Sequence, residues 1–478
     1  TLFRSWLHDL PPEIRSDTKG LSPEAQHISR LAENTVNIPA LSGNRLELLD
    51  AAEPILRSII SYIDNAKKFC HLEFYIWTEG GMADEVGAAL LRAAGRGVTC
   101  RVLLDAVGSA SFLKGRMLEQ LKAGGVEVAF ALPVSAISVF KVRPDLRLHR
   151  KIVVIDDTAA CTGSFNLVDP RLFKQDAGVG EWVDAMVRLE GPGVLALNAL
   201  FRWDWEVETG CDLDAQGESG DPGADLRAGE TDVQVIPSGP GTTGSSIYQL
   251  LLMSIYAAQS EIVITTPYFV PDEAVSTALL TAAERGVFVR VLVDDSFVLD
   301  ADRQLLDIDR HENIELKVFN PYKRRSSSAA LRQVLNAGEF HRLDHRMHNK
   351  VMVIDNRAAI IGGRNIADEY FGARQDAKFG DLDVIGIGPI TAEVSEMFDS
   401  FWNHETALPV PAFAKMPDDP EAELDRLRQH LEEQFVVAQT SKYGEAVRDK
   451  VIDFIERPDA EIEWVPYQLV YDSPDKGV

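Results

Sequence analysis

The sequence predicts an α/β protein of two related lobes, each a mixed β-sheet flanked by helices, followed by a helical C-terminal tail. Three observations predict it. From residue 44 onward, short β-branched runs alternate with amphipathic segments, the pattern of a sheet with helices layered on it. That pattern stops at an acidic, glycine-containing stretch and then begins again. One constellation of residues also occurs twice, 199 positions apart: His149, Lys151, Asp156 and Asn166 are matched at identical offsets by His348, Lys350, Asp355 and Asn365.

Residues 1–40 are polar and proline-containing without clear periodicity, and read as a lead-in segment. The first lobe is expected over 41–205. Within it, 70–77 reads as a strand, 83–96 as an amphipathic helix, 98–105 as a strand, 117–123 as a helix and 126–132 as a strand. Residues 206–232 carry five glycines among aspartates and glutamates, and fit an exposed extended linker or a long acidic loop equally well. The second lobe, 233–410, repeats the first: residues 93–105 run parallel to 282–294, and Phe74-Tyr75-Ile76 to Pro267-Tyr268-Phe269. Over 411–478 the spacing of Leu424, Leu427, Leu431 and Phe435 predicts a helical tail.

The repeated constellation carries chemistry. Between His and Asp lies an apolar run, 152–155 or 351–354, which predicts a buried strand. Alternate strand side chains share a face, so His149 and Lys151 are expected to emerge together at its start, as are His348 and Lys350. A neutral imidazole can attack phosphorus, while an ammonium and an amide can hold phosphoryl oxygens. One such His-x-Lys alone would read as a core histidine beside a surface lysine; two matched copies outweigh that reading. Asp156 and Asp355 complete the motifs and are expected to anchor the turn after each strand. Ser164, Asn166 and Asn365 are candidate phosphate contacts. In the second copy Gly363-Arg364 stands where the first has Ser164-Phe165. Arg364 could therefore clamp a phosphate bidentately or point to solvent. Asp184 and Asp383 each follow their histidine by 35 residues. Each is a candidate to orient an imidazole through its second nitrogen, or else a solvated strand-end aspartate.

Composition bounds the function. The chain has 478 residues, enough for two or three domains, with 45% hydrophobic and 26% charged residues. A net charge of −26 argues against a general nucleic-acid binder. Cys70, Cys100, Cys161 and Cys211 lie far apart, suggesting a reducing compartment and neither a disulfide framework nor a metal site. No run is long and apolar enough to predict a transmembrane helix. Two basic islands precede the histidines, from Lys141 to Lys151 and from Lys323 to Lys350, with an apolar stretch at 132–140 beside the first. They read as solvated loops or as a rim facing an anionic membrane.

The paired motif is identified as that of the phospholipase D superfamily. Leu41-Ser42-Gly43-Asn44, Leu72-Glu73-Phe74-Tyr75-Ile76-Trp77, Leu146-Arg147-Leu148-His149-Arg150-Lys151, Asn166-Leu167-Val168-Asp169-Pro170-Arg171 and residues 173–182 resemble the first half of bacterial cardiolipin synthases, a likeness that extends over roughly 41–294. Arg346-Met347-His348-Asn349-Lys350 and Gly362-Gly363-Arg364-Asn365-Ile366-Ala367-Asp368 resemble instead the first half of another cardiolipin synthase type, in which a further catalytic lobe follows. The resemblance implies two phospholipase D-like lobes sharing a cleft and a phosphatidyltransferase that joins two phospholipids. Phosphatidylglycerol is the expected substrate; hydrolysis by a phospholipase D-type phosphodiesterase is the alternative. It implies a phosphohistidine on one histidine, assigned to His149, and acid/base work on His348, with no cofactor or metal. It further implies a peripheral place on a bacterial inner membrane, an anchor lost from this fragment, and a second lobe whose natural partner is a missing third.

Overall fold

A computed structural model describes residues 12–21, 23–132, 146–172, 181–213, 226–238, 246–295, 305, 308–322, 345–367 and 378–412. Residues Thr1–Ala414 form one compact unit that contains both lobes. Residues 173–180, the predicted tail beyond residue 412, residues 141–145 of the first basic island, most of the second island and most of the 132–140 stretch lie outside the described residues.

The first lobe opens with α1 (Pro23–Val36), β1 (Leu41–Leu49), α2 (Ala52–Asn65), β2 (Phe69–Phe74), α3 (Met82–Gly95), β3 (Thr99–Asp105), α4 (Arg116–Ala123) and β4 (Glu127–Ala131). It continues through β5 (Leu146–Leu148), β6 (Ile152–Ile155), β7 (Ala159–Gly163), β8 (Glu181–Val183), β9 (Met186–Glu190) and α5 (Gly193–Thr209). The second lobe starts with β10 (Thr231–Pro237), α6 (Ser246–Ala257), β11 (Glu261–Thr266), β12 (Phe269–Val270), α7 (Glu273–Glu284), β13 (Phe288–Asp294) and β14 (Ile314–Phe319). Then follow β15 (His345–Met347), β16 (Val351–Ile354), β17 (Ala358–Gly362), β18 (Ile366–Ala367), β19 (Lys378–Gly380), β20 (Leu382–Ile387), α8 (Ile390–Trp402) and β21 (Ala407–Pro409).

The predicted strands at 70–77, 98–105 and 126–132 appear as β2, β3 and β4, and the helices at 83–96 and 117–123 as α3 and α4, with small shifts at their ends. Every residue of β2 is buried, as expected of a strand covered on both faces. Asp84 and Glu85 sit in the first turn of α3, where negative charge suits the helix dipole. Asp272 caps α7 by accepting from the Val275 amide at 2.8 Å.

Among the described residues the two lobes form one sheet of fifteen strands, ordered β21-β14-β13-β11-β16-β17-β20-β10-β1-β9-β7-β6-β2-β3-β4. Read outward from the central β1–β10 seam, the two sides run through equivalent strands as far as β4 and β14, with the symmetry of the sequence repeat, and β21 extends the second side by one strand. At the seam β1 and β10 pair antiparallel, with an irregularity between Leu41 and Asn44. Buried Asn44 secures it. Its amide donates to the Leu41 and Thr231 carbonyls at 2.7 and 3.1 Å, and its oxygen accepts from the Gly193 amide at 2.7 Å. One hydrophobic core runs through both lobes, holding Leu46, Val154 and Leu189 of the first with Val235, Ile264 and Val353 of the second. Burial of this kind contributes roughly 25 cal/mol per Å² of apolar surface, so the lobes are held as one unit.

Two short parallel ladders cross between lobes. In one β5 pairs with β19, Leu148 opposite Gly380; in the other β8 pairs with β15, Val183 opposite Met347. The second lobe therefore completes itself with the first.

Two expectations need correction. The lead-in contains helix α1, whose buried positions Ser29, Ala32 and Val36 pack on the sheet; two are small residues, so the apolar stripe is faint in the sequence. Gln234 ties this segment down by donating to the Ser29 and Ile38 carbonyls at 3.2 and 2.8 Å. The linker is also shorter than 206–232, because α5 runs on to Thr209 and β10 begins at Thr231. Residues 214–225 lie outside the described part.

Candidate active site

The two histidine motifs occupy equivalent places. β6 and β16 are fully buried, and the connections β5–β6 and β15–β16 carry His149 and Lys151, and His348 and Lys350. The pairs thus lie in the turn entering each strand rather than within it. Asp105 fixes the approach to the first by accepting from the Leu148 amide at 3.0 Å, and Asp294 does the same for Met347 at 3.0 Å.

Each imidazole is held by the opposite lobe. His149 Nδ1 lies 2.7 Å from Asp381 Oδ2, and the His149 amide donates to the Gly380 carbonyl at 2.8 Å. His348 Nδ1 lies 2.5 Å from Asp184 Oδ1. The ladders β5–β19 and β8–β15 produce this exchange, since each carries the aspartate one residue beyond its end. Each ring is thus anchored through Nδ1, which fixes its orientation. The Tyr75 ring packs on His149 with centroids 4.8 Å apart.

Asp184 therefore orients the second lobe's histidine instead of its own. Asp383 orients neither: it pairs with Arg364 Nε at 2.8 Å. The offset of 35 residues misassigned it, because the second lobe reaches its strand two residues earlier. Asp381 precedes Leu382, which accepts from the Gly363 amide, just as Asp184 precedes Ala185, which accepts from Ser164. Comparing the Val183-Asp184 and Gly380-Asp381 steps was the available signal.

Burial dominates the electrostatics. It lowers His149 to about 4, aided by Lys151 and opposed by Asp381, and it lowers His348 against the opposing Asp184. Lys151 falls to about 8 and Lys350 to about 7 for the same reason. The field of Lys350 reaches His149 and that of Lys151 reaches His348, so the motifs converge. Burial opposes ionisation of Asp184 and Asp381, but the adjoining histidines and lysines hold both below the usual carboxylate range. Asp383 rises to about 6, burial outweighing Arg364.

The other candidates separate by position. Lys151 Nζ is 3.1 Å from His149 Nδ1, and Lys350 Nζ donates to the His348 carbonyl at 2.5 Å. Asn166 accepts from the Ile76 amide at 3.1 Å and Asn365 from the Thr266 hydroxyl at 3.4 Å. Those bonds fix each amide oxygen and turn its NH₂ toward other partners. The Ser164 hydroxyl bonds the Ala185 backbone, at 3.1 Å from its amide and 3.2 Å from its carbonyl, and also bonds Asp184. It thus supports a carboxylate. Arg364 is buried, which excludes the solvent-facing alternative; Nε serves Asp383 and Nη2 the Ser238 hydroxyl at 2.8 Å, so that edge of the guanidinium is engaged. Asp156 and Asp355 sit at the far ends of β6 and β16. Asp156 accepts from the Lys67, Lys68 and Phe69 amides at 2.7 to 2.8 Å, and Asp355 from Gln259, Ser260 and Glu261. Both are turn anchors, away from the histidines.

A family model described as cardiolipin synthase, PLD-like domain, matches residues 59–186 and 251–402. Cardiolipin synthase A of Proteus mirabilis is 38% identical over 368 residues, covering 76% of this chain and 71% of that protein. Cardiolipin synthase A of Yersinia pseudotuberculosis is 37% identical over 364 residues, covering 76% and 70%. Among solved structures, phosphatidylserine synthase of Haemophilus influenzae superposes with a TM-score of 0.57 at 15% identity, over 85% of this chain and 98% of that one. That likeness concerns the fold.

Proposed function

Because this chain belongs to the phospholipase D-like cardiolipin synthase family, we propose that it joins two phosphatidylglycerol molecules into cardiolipin through a phosphohistidine. The observation that carries the chemistry is the reciprocal pairing of His149 with Asp381 and His348 with Asp184. Two converging imidazoles, each anchored through Nδ1 by a carboxylate of the other lobe, suit one nucleophile and one proton carrier.

In this reading His149 is the nucleophile; burial lowers it to about 4, so the ring is neutral at pH 7, as attack requires. Its Nε2 attacks the phosphorus of one phosphatidylglycerol, the bond from phosphorus to the glycerol oxygen breaks, and His348 gives its proton to that oxygen. Neutral His348 then takes the proton from a hydroxyl of the second phosphatidylglycerol. That oxygen displaces His149 from phosphorus, releasing cardiolipin and restoring both rings. Lys151, Lys350 and the Asn166 and Asn365 amides hold the non-bridging oxygens. The phosphodiester's own negative charge favours the protonated form of His348 during the first step. Asp381 and Asp184 fix the tautomers and stabilise the imidazolium when it forms.

The substrates place the enzyme at an anionic bilayer, and a bacterial inner membrane is the setting that fits. No helix among the described residues is long and apolar enough to cross a membrane. Labelled phosphatidylglycerol in vesicles tests the reading. Cardiolipin and free glycerol should appear together in equal amounts, and phosphatidic acid as the main product would assign hydrolysis instead.

A further inference from the structure

We propose that Ser238, outside both histidine motifs, is a positioning residue that holds Asp381 against His149. It sits one residue beyond β10, buried, at the crossing of the lobes. Its amide donates to the Asp381 carbonyl at 2.9 Å, and its hydroxyl accepts from the Asp381 amide at 3.2 Å. Arginines from both lobes close on it. Arg150, beside the catalytic histidine, donates to the Ser238 carbonyl at 2.6 Å while pairing with Asp204 of α5. Arg364 donates to the Ser238 hydroxyl at 2.8 Å while pairing with Asp383.

The need for it lies in the second motif. In the first lobe, Ser164 bonds the backbone beside Asp184 and its carboxylate. The second motif has Gly363 there, and a Cβ on Gly363 would fall 2.5 Å from Asp381 Oδ1. The motif therefore makes room for Asp381 but offers no hydroxyl to support it. Ser238 supplies a hydroxyl from the segment after β10, and it holds the Asp381 backbone, accepting from the amide at 3.2 Å and donating to the carbonyl at 3.4 Å. The two halves of the site are thus built asymmetrically: the His348 half is supported from within a motif, the His149 half from the inter-lobe seam.

The test rests on the phosphatidyl-transfer reading for its kinetic arm but not for its spectroscopic one. His149 is faced by Lys151 from its own segment, by Asp381 and Lys350 from the second lobe, and by the Tyr75 ring; Asp381 is faced in turn by Arg150 and Arg364. Asp381 raises the His149 pKa, so loosening it in Ser238→Ala should lower that pKa further while His348 holds its value. Histidine side-chain NMR titration of the full chain, with His149 assigned through His149→Asn, reads this without substrate. In kinetics, Ser238→Ala should lower kcat about 10-fold with KM little changed. It should move the acid limb of the pH profile downward and leave the alkaline limb fixed. Ser238→Thr, which keeps the hydroxyl, should restore both. Ser164→Ala should act on the alkaline limb instead. A Ser238→Ala protein with a lower melting temperature but unmoved His149 titration and limbs would overturn the proposal, as would a shift confined to His348. A wild-type chain without transferase activity would count against the reaction proposed above, and the titration alone would then decide the role of Ser238.

Discussion

Asp381 of the second lobe lies 2.7 Å from Nδ1 of His149 in the first, while Asp184 of the first holds His348 of the second. Each motif histidine is thus held by a carboxylate of the other lobe. The site exists only where β5 meets β19 and β8 meets β15.

Substituting either aspartate should therefore disable the histidine of the opposite lobe. Asn at 381 or 184 keeps shape and hydrogen bonding but permits the wrong imidazole tautomer and withdraws the charge that stabilises imidazolium. The expected loss in kcat is on the order of 10³-fold or more. Phosphohistidine trapping separates the two: Asp381→Asn should suppress formation of the labelled enzyme, because His149 makes the bond. Full trapping in Asp381→Asn and none in Asp184→Asn would reverse the roles of the histidines.

Acid should destabilise the fold through the same residues. His149 is depressed from an unfolded value near 6.5 to about 4. Above 6.5 both states are neutral and nothing is lost; as pH falls from 6.5 to 4 the unfolded chain takes up a proton that the folded one refuses. The folded state then loses up to about 3 kcal/mol from this ring. Asp381, held below the usual range, adds its own loss at lower pH, as its pairing disappears. Asp383, raised to about 6, works oppositely: its contribution is complete below about 3.8 and fades as pH rises through 6. Between pH 6.5 and 4 the thermal midpoint should fall less, relative to its value at pH 7, in His149→Asn than in the wild type, since the variant removes the His149 loss, keeps a donor for Asp381 and leaves the Asp383 contribution in place.

Much of this arrangement was legible in the sequence. The repeat predicted two equivalent lobes, and the β-branched runs located β6 and β16, because strands buried in a sheet need apolar residues whatever their partners. The cross-lobe pairing was not legible. Period and propensity describe a segment alone, whereas β5–β19 and β8–β15 join segments more than 160 residues apart. Asp383 was misread because counting from the histidine assumes that both lobes use the same loop length. Ser238 and Arg150 were missed as support because they matter only through contacts that the seam creates.

Asp156 should prove separable from catalysis although it belongs to the motif. Its carboxylate gathers three backbone amides and its backbone takes φ 54°, a left-handed conformation that Asn also tolerates. Asp156→Asn replaces charge-assisted bonds by neutral ones and should cost about 1–3 kcal/mol of stability. Denaturant midpoints should show the loss, while kcat at a temperature where the variant is folded stays within about twofold. A kcat loss without a stability change would return Asp156 to the catalytic set.

Making the second motif resemble the first should do harm. Gly363→Ser would recreate the Gly-Ser-x-Asn order of the first lobe, and by motif similarity alone it should be neutral or beneficial. The structure argues the reverse. A Cβ at 363 meets Asp381 Oδ1 at 2.5 Å and Oδ2 at 3.2 Å, so the carboxylate must move. That carboxylate is tied by the Leu382 amide at 2.9 Å on one oxygen and by His149 on the other, and moving it breaks both bonds. His149 then loses its orienting partner while the fold, whose strands and core are untouched, persists. The expected outcome is a fall in kcat on the order of 10- to 100-fold, with a melting temperature within a few degrees of wild type. The loss should track Asp381→Asn in the His149 titration. Wild-type turnover in Gly363→Ser would show that Asp381 can shift without cost, and that His149 needs no fixed partner across the seam.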